Sequence, residues 1–137
     1  MEIKNKIASV FIICFIGFWI FQFKNTFSNR EKRIKKHNIS YGQTIECSHS
    51  SKNGGVQYLD YCFVLNNKKY KNSVAFELKY LTRYQCNEFF TNKTFPVVYY
   101  PDDPSNNMMI ISPKDFGYYN IPFPDSLNWV KEYIKEE

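Results

Sequence analysis

Seventeen consecutive positions, Ile7 to Phe23, carry no charge between Lys6 and Lys24, and Ile7–Phe21 is apolar apart from Ser9 and Gly17. As a helix this run is about 25 Å long. That is at the short end of what spans a hydrocarbon core of about 30 Å, with Lys6 and Lys24 able to snorkel to the headgroups. The expected first element is therefore a transmembrane α-helix over 7–23, after a short tail over 1–6. A basic tail before an apolar run also opens a secretory signal peptide. This run is long and rich in aromatics, and Thr26-Phe27-Ser28 stands where a small-residue cleavage site would be, so an uncleaved anchor is expected. A helix apolar on every face would need more protein around it than residues 40–137 supply if it were a buried core helix. Trp19, Phe21 and Phe23 near its second end suit an interfacial aromatic belt.

Beyond residue 39 the pattern changes to alternation. Gln43–Ser50 reads as a strand, Lys52-Asn53-Gly54-Gly55 as a turn, and Val56–Leu65 as a second strand. The set Gln57, Leu59, Tyr61, Phe63 and Leu65 is nearly all apolar and is expected to face the core. Asn66-Asn67 is a second two-residue turn, and Lys68–Phe76 a third, more polar strand. Glu77–Asn92 reads either as a short helix carrying Leu78, Leu81 and Phe89 or as a strand followed by a loop. Thr94–Tyr100 is a strand, with Pro96 marking its start or an edge. Pro101–Asn106 is a turn and Met108–Ile111 a short strand. Ser112, Pro113 and Asp115 form a helix start that Gly117 ends. Pro124 and Asp125, with Asp125 as N-cap, open a last helix over about 125–136 whose stripe is Leu127, Val130, Tyr133 and Ile134, with Trp129 beside it.

Charge divides the chain in two. Residues 1–39 hold eight Lys/Arg and two Glu, and residues 40–137 hold ten Lys/Arg and eleven Asp/Glu, so the net +5 lies wholly beside the apolar run. A folded part without a basic excess argues against nucleic-acid binding. The basic segment 24–39, read as a juxtamembrane linker, instead suits anionic headgroups, with Lys24, Arg30, Lys32, Arg33, Lys35 and Lys36 as the membrane-surface contacts. Six basic residues after the run outweigh two before it, which by the positive-inside rule puts residues 40–137 in the cytoplasm. Seven Phe, eleven Tyr and one Trp beyond residue 39 lean the domain towards β structure.

A further pattern is carried by a Gly42-Gln43-Thr44 lead-in strand, the Tyr-rich Tyr58–Val64, the turn Asn66–Tyr70, and Val98, Tyr100, Pro101, Pro104 and Asn106 before a short apolar strand. Over about 41–112 this resembles a family of small bacterial membrane proteins of unknown function, in which transmembrane helices carry a compact β-barrel-like domain. The segment Phe123–Ile134 lies outside that pattern. The expected fold is thus an N-terminal transmembrane α-helix followed by a small α+β domain over 40–137. That domain is mainly antiparallel β, barrel-like or meander, with a C-terminal helix.

Candidate chemistry is sparse. Cys47, His49, Cys62 and Cys86 have the residue types of a tetrahedral zinc site but not its paired Cys-x₂₋₄-Cys spacing, so no metal or other cofactor is expected. Cys47 and Cys62 lie on strands that a hairpin makes neighbours, and a bridge between them is the second reading, requiring an oxidising compartment. In a cytoplasmic domain they are instead small buried thiols. A Cys–His nucleophilic pair lacks any orienting motif, and Asp102 and Asp103 between two prolines are explained by the turn. No catalytic residue is assigned.

The expectation is a single-pass protein of the plasma or inner membrane whose β-rich domain binds or scaffolds an unidentified protein or lipid at the membrane surface. Two alternatives stand beside it. One is a membrane-anchored enzyme or metal-binding domain using Cys47, His49, Cys62 or Cys86. The other is an exported envelope domain with a Cys47–Cys62 disulfide.

Overall fold

The computed structural model describes residues 2–49, 57–76, 78–79 and 81–135, without the side chains of residues 2–11, 25 and 49. The turn expected at Lys52–Gly55 lies outside the described residues. In chain order the elements are α1 (Glu2–Lys35), β1 (Asn38–His49), β2 (Gln57–Leu65), β3 (Lys68–Phe76), α2 (Arg83–Phe90), β4 (Thr94–Tyr100), β5 (Asp103–Met109), α3 (Pro113–Tyr118) and a terminal 3₁₀ helix (Asp125–Glu132).

α1 is continuous over 34 residues, about 51 Å. The stretch read as a linker is helical through Lys35. It contains no Pro or Gly, it is rich in Lys and Arg with good helix propensity, and Lys32, Arg33 and Lys35 in the last turn complement the helix dipole. Among the described residues, no helix is long and apolar enough to cross a membrane. The side chains of residues 7–11, which open the apolar run, are outside that description.

The five strands form one antiparallel sheet in the order β3-β2-β1-β4-β5. β2 alternates as expected, with Gln57, Leu59, Tyr61 and Phe63 buried. Asn66 and Asn67 link β2 to β3 at φ 50° and 62°, the left-handed geometry that a two-residue hairpin needs and that Asn tolerates. β1 starts at Asn38, earlier than expected, because its first residues pair with β4 from Asn38 opposite Tyr99 to Gln43 opposite Thr94. A bulge between Thr44 and Glu46 resets its alternation, so Gly42 and Thr44 before it and Cys47 after it all face inward.

β4 is an interior strand, and the edge reading of Pro96 is corrected. The Pro96 carbonyl accepts from the Ile110 N–H (3.0 Å) on the β5 side. Its nitrogen faces the same side, so the pair with Ile110 keeps one of its two possible bonds, and the missing donor falls where β5 ends, just after Met109. The Pro101–Asn106 turn is also shorter than expected. β5 begins at Asp103, and Asn106 and Asn107 are buried strand residues. The two sheet edges meet where Asn72 of β3 donates to the Asn107 carbonyl of β5 (3.2 Å), leaving a nearly closed barrel.

The stretch Glu77–Asn92 holds a bridge from Leu78 to Ile134 and then α2, which starts in a reciprocal cap between Thr82 and Gln85. Phe90 at its end packs on Phe76 and Phe95 at ring distances of 5.3 and 6.4 Å. Ser112 and Asp115 cap α3 as expected, although the helix continues past Gly117 to Tyr118. The last element is a 3₁₀ helix ending at Glu132, with Pro124 at its N-cap in place of Asp125. It buries Leu127 and Val130.

Candidate functional site

The helix meets the barrel through one stripe of α1 and the residues just after it. Arg33 donates from Nη1 to the Asn106 side-chain carbonyl and from Nε to the Tyr119 hydroxyl (3.3 Å). Asn106 returns its amide to the Asn29 carbonyl (3.1 Å), so both ends of its side chain are held by α1. One turn earlier the Arg30 guanidinium stands 4.4 Å from the Tyr118 ring centre, a cation–π contact. Beyond the helix, Lys36 pairs with Asp102 (3.1 Å), and the His37 ring meets Tyr119 edge-on at 5.2 Å. Spacing of three and four residues puts Asn29, Arg30 and Arg33 on one helical face, and Lys36 and His37 extend it just past the helix end.

A buried polar network lies beneath this contact. The Tyr61 hydroxyl donates to Asn107 Oδ1 (2.8 Å) and accepts from the Met109 N–H (3.1 Å). Asn107 donates to the carbonyls of Pro104 (2.9 Å) and Ser105 (3.0 Å), which fixes the start of β5. Asn72 closes the network from β3. Burial raises the Tyr61 pKa well above the usual tyrosine range, only partly offset by the Met109 hydrogen bond. On the surface, the Tyr100 hydroxyl and then Lys36 hold the Asp102 carboxyl below its ordinary range.

Between α1 and this polar floor runs a groove of about 670 Å³. Trp19, Phe23 and Phe27 line its helix side, and Asn72, Ser105, Asn106 and Asn107 line the barrel side, with Arg30 and Arg33 between them. Among the described residues, neither arginine pairs with a carboxylate. Arg33 is half-buried, and it donates to the neutral oxygens of Asn106 and Tyr119. The groove therefore presents hydrogen-bond donors and uncompensated positive charge beside an apolar wall.

The six basic residues expected to touch the membrane divide in two. Lys24, Lys32 and Lys35 are exposed, whereas Arg30, Arg33 and Lys36 contact the domain itself. The cysteine pairing is corrected. Cys47 is bonded to Cys86 of α2, with Cα atoms 6.0 Å apart. Cys62 is free. It sits opposite Gln43, on the face away from Leu59, Tyr61 and Phe63, while the bulge turns Cys47 inward opposite Leu59. Cys47 and Cys86 are thus not available as thiolate ligands, and the side chain of His49 lies outside the described residues.

The sequence placed Tyr61 on the core face and Asn106 in a turn, but assigned no polar role to either and did not single out Asn72, Asn107 or Tyr119. The usable signal was Asn106-Asn107 placed directly before the apolar Met108–Ile111, which a turn reading absorbed. No family model, curated protein or solved structure matches the chain, so the family likeness rests on the quoted residues alone.

Proposed function

We propose that the chain is a single-pass membrane protein whose barrel-like domain acts as a binding or scaffolding module held against the membrane by its own anchor. The carrying observation is the apolar segment of α1. Ile12, Ile13, Phe15, Ile16, Phe18, Trp19, Ile20, Phe21 and Phe23 are all more than half exposed, and they occupy every face of the helix. Apolar surface of that extent, left exposed among the described residues, calls for a lipid or protein covering. The seventeen uncharged positions of the full run supply the length.

The Cys47–Cys86 disulfide favours the envelope-facing orientation over the cytoplasmic one, because bridges persist in oxidising compartments. The opposing argument from basic residues loses weight. Arg30, Arg33 and Lys36 already have partners in the fold, so their presence needs no topological signal to explain it.

Two measurements on cells expressing the full chain test this reading. Alkaline carbonate extraction should leave the protein in the membrane pellet. Its release into the supernatant would remove the anchor from the reading. With Cys14→Ala in place, an impermeant reductant followed by an impermeant thiol reagent should label Cys47 and Cys86 in intact cells. Labelling only after lysis would put the domain in the cytoplasm.

A further inference from the structure

We propose that the groove between α1 and β5 holds the headgroup of one anionic phospholipid. Its phosphate sits on Arg30 and Arg33, and an acyl chain runs back along Phe27, Phe23 and Trp19. This inference rests on the membrane-anchored reading above and gives it a specific lipid class and site.

Three observations converge on it. The helix side of the groove changes character in one direction. Trp19, Phe23 and Phe27 recur at four-residue spacing, and Arg30 and Arg33 continue the same stripe at three-residue spacing, all lining one groove. This is the order of an acyl chain and its phosphate. The depth also matches. Arg30 and Arg33 lie seven and ten residues beyond Phe23, about 10 and 15 Å along the helix, and the headgroup layer on each side of a bilayer is about 5–8 Å thick. Helical side chains lean back towards the N-terminus, so the Arg30 guanidinium reaches phosphate level and Arg33 stands on its water side.

The third observation is charge. Arg33 is half-buried, without a carboxylate among the described residues, and held in place by Asn106 and Tyr119. A guanidinium has five N–H donors, and the bonds to Asn106 and Tyr119 use two of them. The remaining fork suits a phosphate, which arginine binds bidentately. Arg30 is fixed beside it by the Tyr118 ring. The groove volume of about 670 Å³ is in the range of small-molecule sites.

The test uses the full chain in vesicles of neutral phosphatidylcholine. These carry a minor fraction of either acyl-brominated phosphatidylglycerol or acyl-brominated phosphatidylcholine. Quenching of tryptophan fluorescence is read, with Trp129 as a constant background. The brominated anionic lipid should quench more strongly. Arg30→Gln and Arg33→Gln should each lower that preference about fivefold or more, and by more than Lys24→Gln, whose side chain is exposed and outside the groove.

Equal quenching by the two lipids overturns the site and leaves the anchor standing. No quenching by either lipid overturns the anchor reading itself. A preference abolished by Lys24→Gln but retained in Arg30→Gln overturns the assignment to the groove. A preference removed by excess inorganic phosphate points to a soluble anion and overturns the lipid assignment. Because the two lipids are compared on the unaltered chain, misfolding of a variant does not mask the result.

Discussion

Cys47 on β1 and Cys86 on α2 are joined across 39 residues of sequence, so a single covalent bond spans β2, β3 and the bridge at Leu78. Closing a loop of that size restricts the unfolded chain by about 4 kcal/mol on the chain-entropy account. Reduction of the full chain in detergent should lower its unfolding free energy by about that amount, read as a shift of the urea midpoint. Alkylation of the unfolded, unreduced chain should add two adducts, at Cys14 and Cys62, with four after reduction. Four adducts before reduction would remove the bridge.

Gly42 carries a second prediction. A Cβ built there would stand 2.8 Å from Val97 Cγ2, 3.0 Å from the Cys62 carbonyl oxygen and 3.2 Å from Met109 Cε. The carbonyl is part of the β1–β2 ladder and cannot retreat cheaply. Gly42→Ala should therefore destabilise by about 1–3 kcal/mol, although alanine usually favours a folded chain over glycine. An unchanged or raised melting temperature would count against this packing of β1 under β4 and β5.

Tyr61 gives the fold a dependence on alkaline pH. Its pKa is raised in the folded state by burial, so the folded chain keeps this proton where the unfolded chain loses it. Stability from this group is complete below about pH 10, the ordinary tyrosine value, and falls as pH rises above it. Tyr61→Phe should remove that part of the slope. At neutral pH it should cost about 1–3 kcal/mol, because the Asn107 carbonyl and Met109 N–H lose a buried partner. Urea melts at neutral and alkaline pH check both effects. An unaltered alkaline slope in the variant would put the titration elsewhere.

Arg33 predicts a local effect. Arg33→Ala removes two hydrogen bonds between α1 and the barrel, each involving a charged donor. Amide exchange over residues 28–36 should accelerate about tenfold or more, the scale of one charged hydrogen bond, while the core strands keep their protection. Unchanged exchange in that segment would mean that Arg33 does not hold the helix.

Much of the barrel was legible in the sequence, because its signals are local. The alternation from Gln57 to Phe63, the Asn66-Asn67 hairpin and the Ser112–Asp115 cap each depend on a few neighbouring residues, and each is found as read. What was missed depends on pairing across the chain. The bulge at Thr44–Glu46 turns Cys47 inward, and no local pattern announces that Cys86 waits there on α2. Pro96 reads as an edge residue until β5 is seen to stop beside it. Arg30, Arg33 and Lys36 look like a run without protein partners until α3, β5 and the turn before β5 supply Tyr118, Asn106 and Asp102. The groove was hidden for the same reason. Its walls come from positions 19–33 and 72–107, which sequence order keeps apart.

The continuity of α1 has a geometric consequence. No proline interrupts it, and its sole glycine, Gly17, lies within the apolar run. Between Phe23 and the docking contacts at Arg33 the helix has no joint, so the barrel rides on it like a hand on a clock spindle. The number of residues between the two points fixes the barrel's height and its compass bearing together. One residue inserted at Ser28 would raise the barrel by about 1.5 Å and swing it through about 100°. Trp19, Phe23 and Phe27 would then turn away from Asn72 and Asn106, and the two walls of the groove would part.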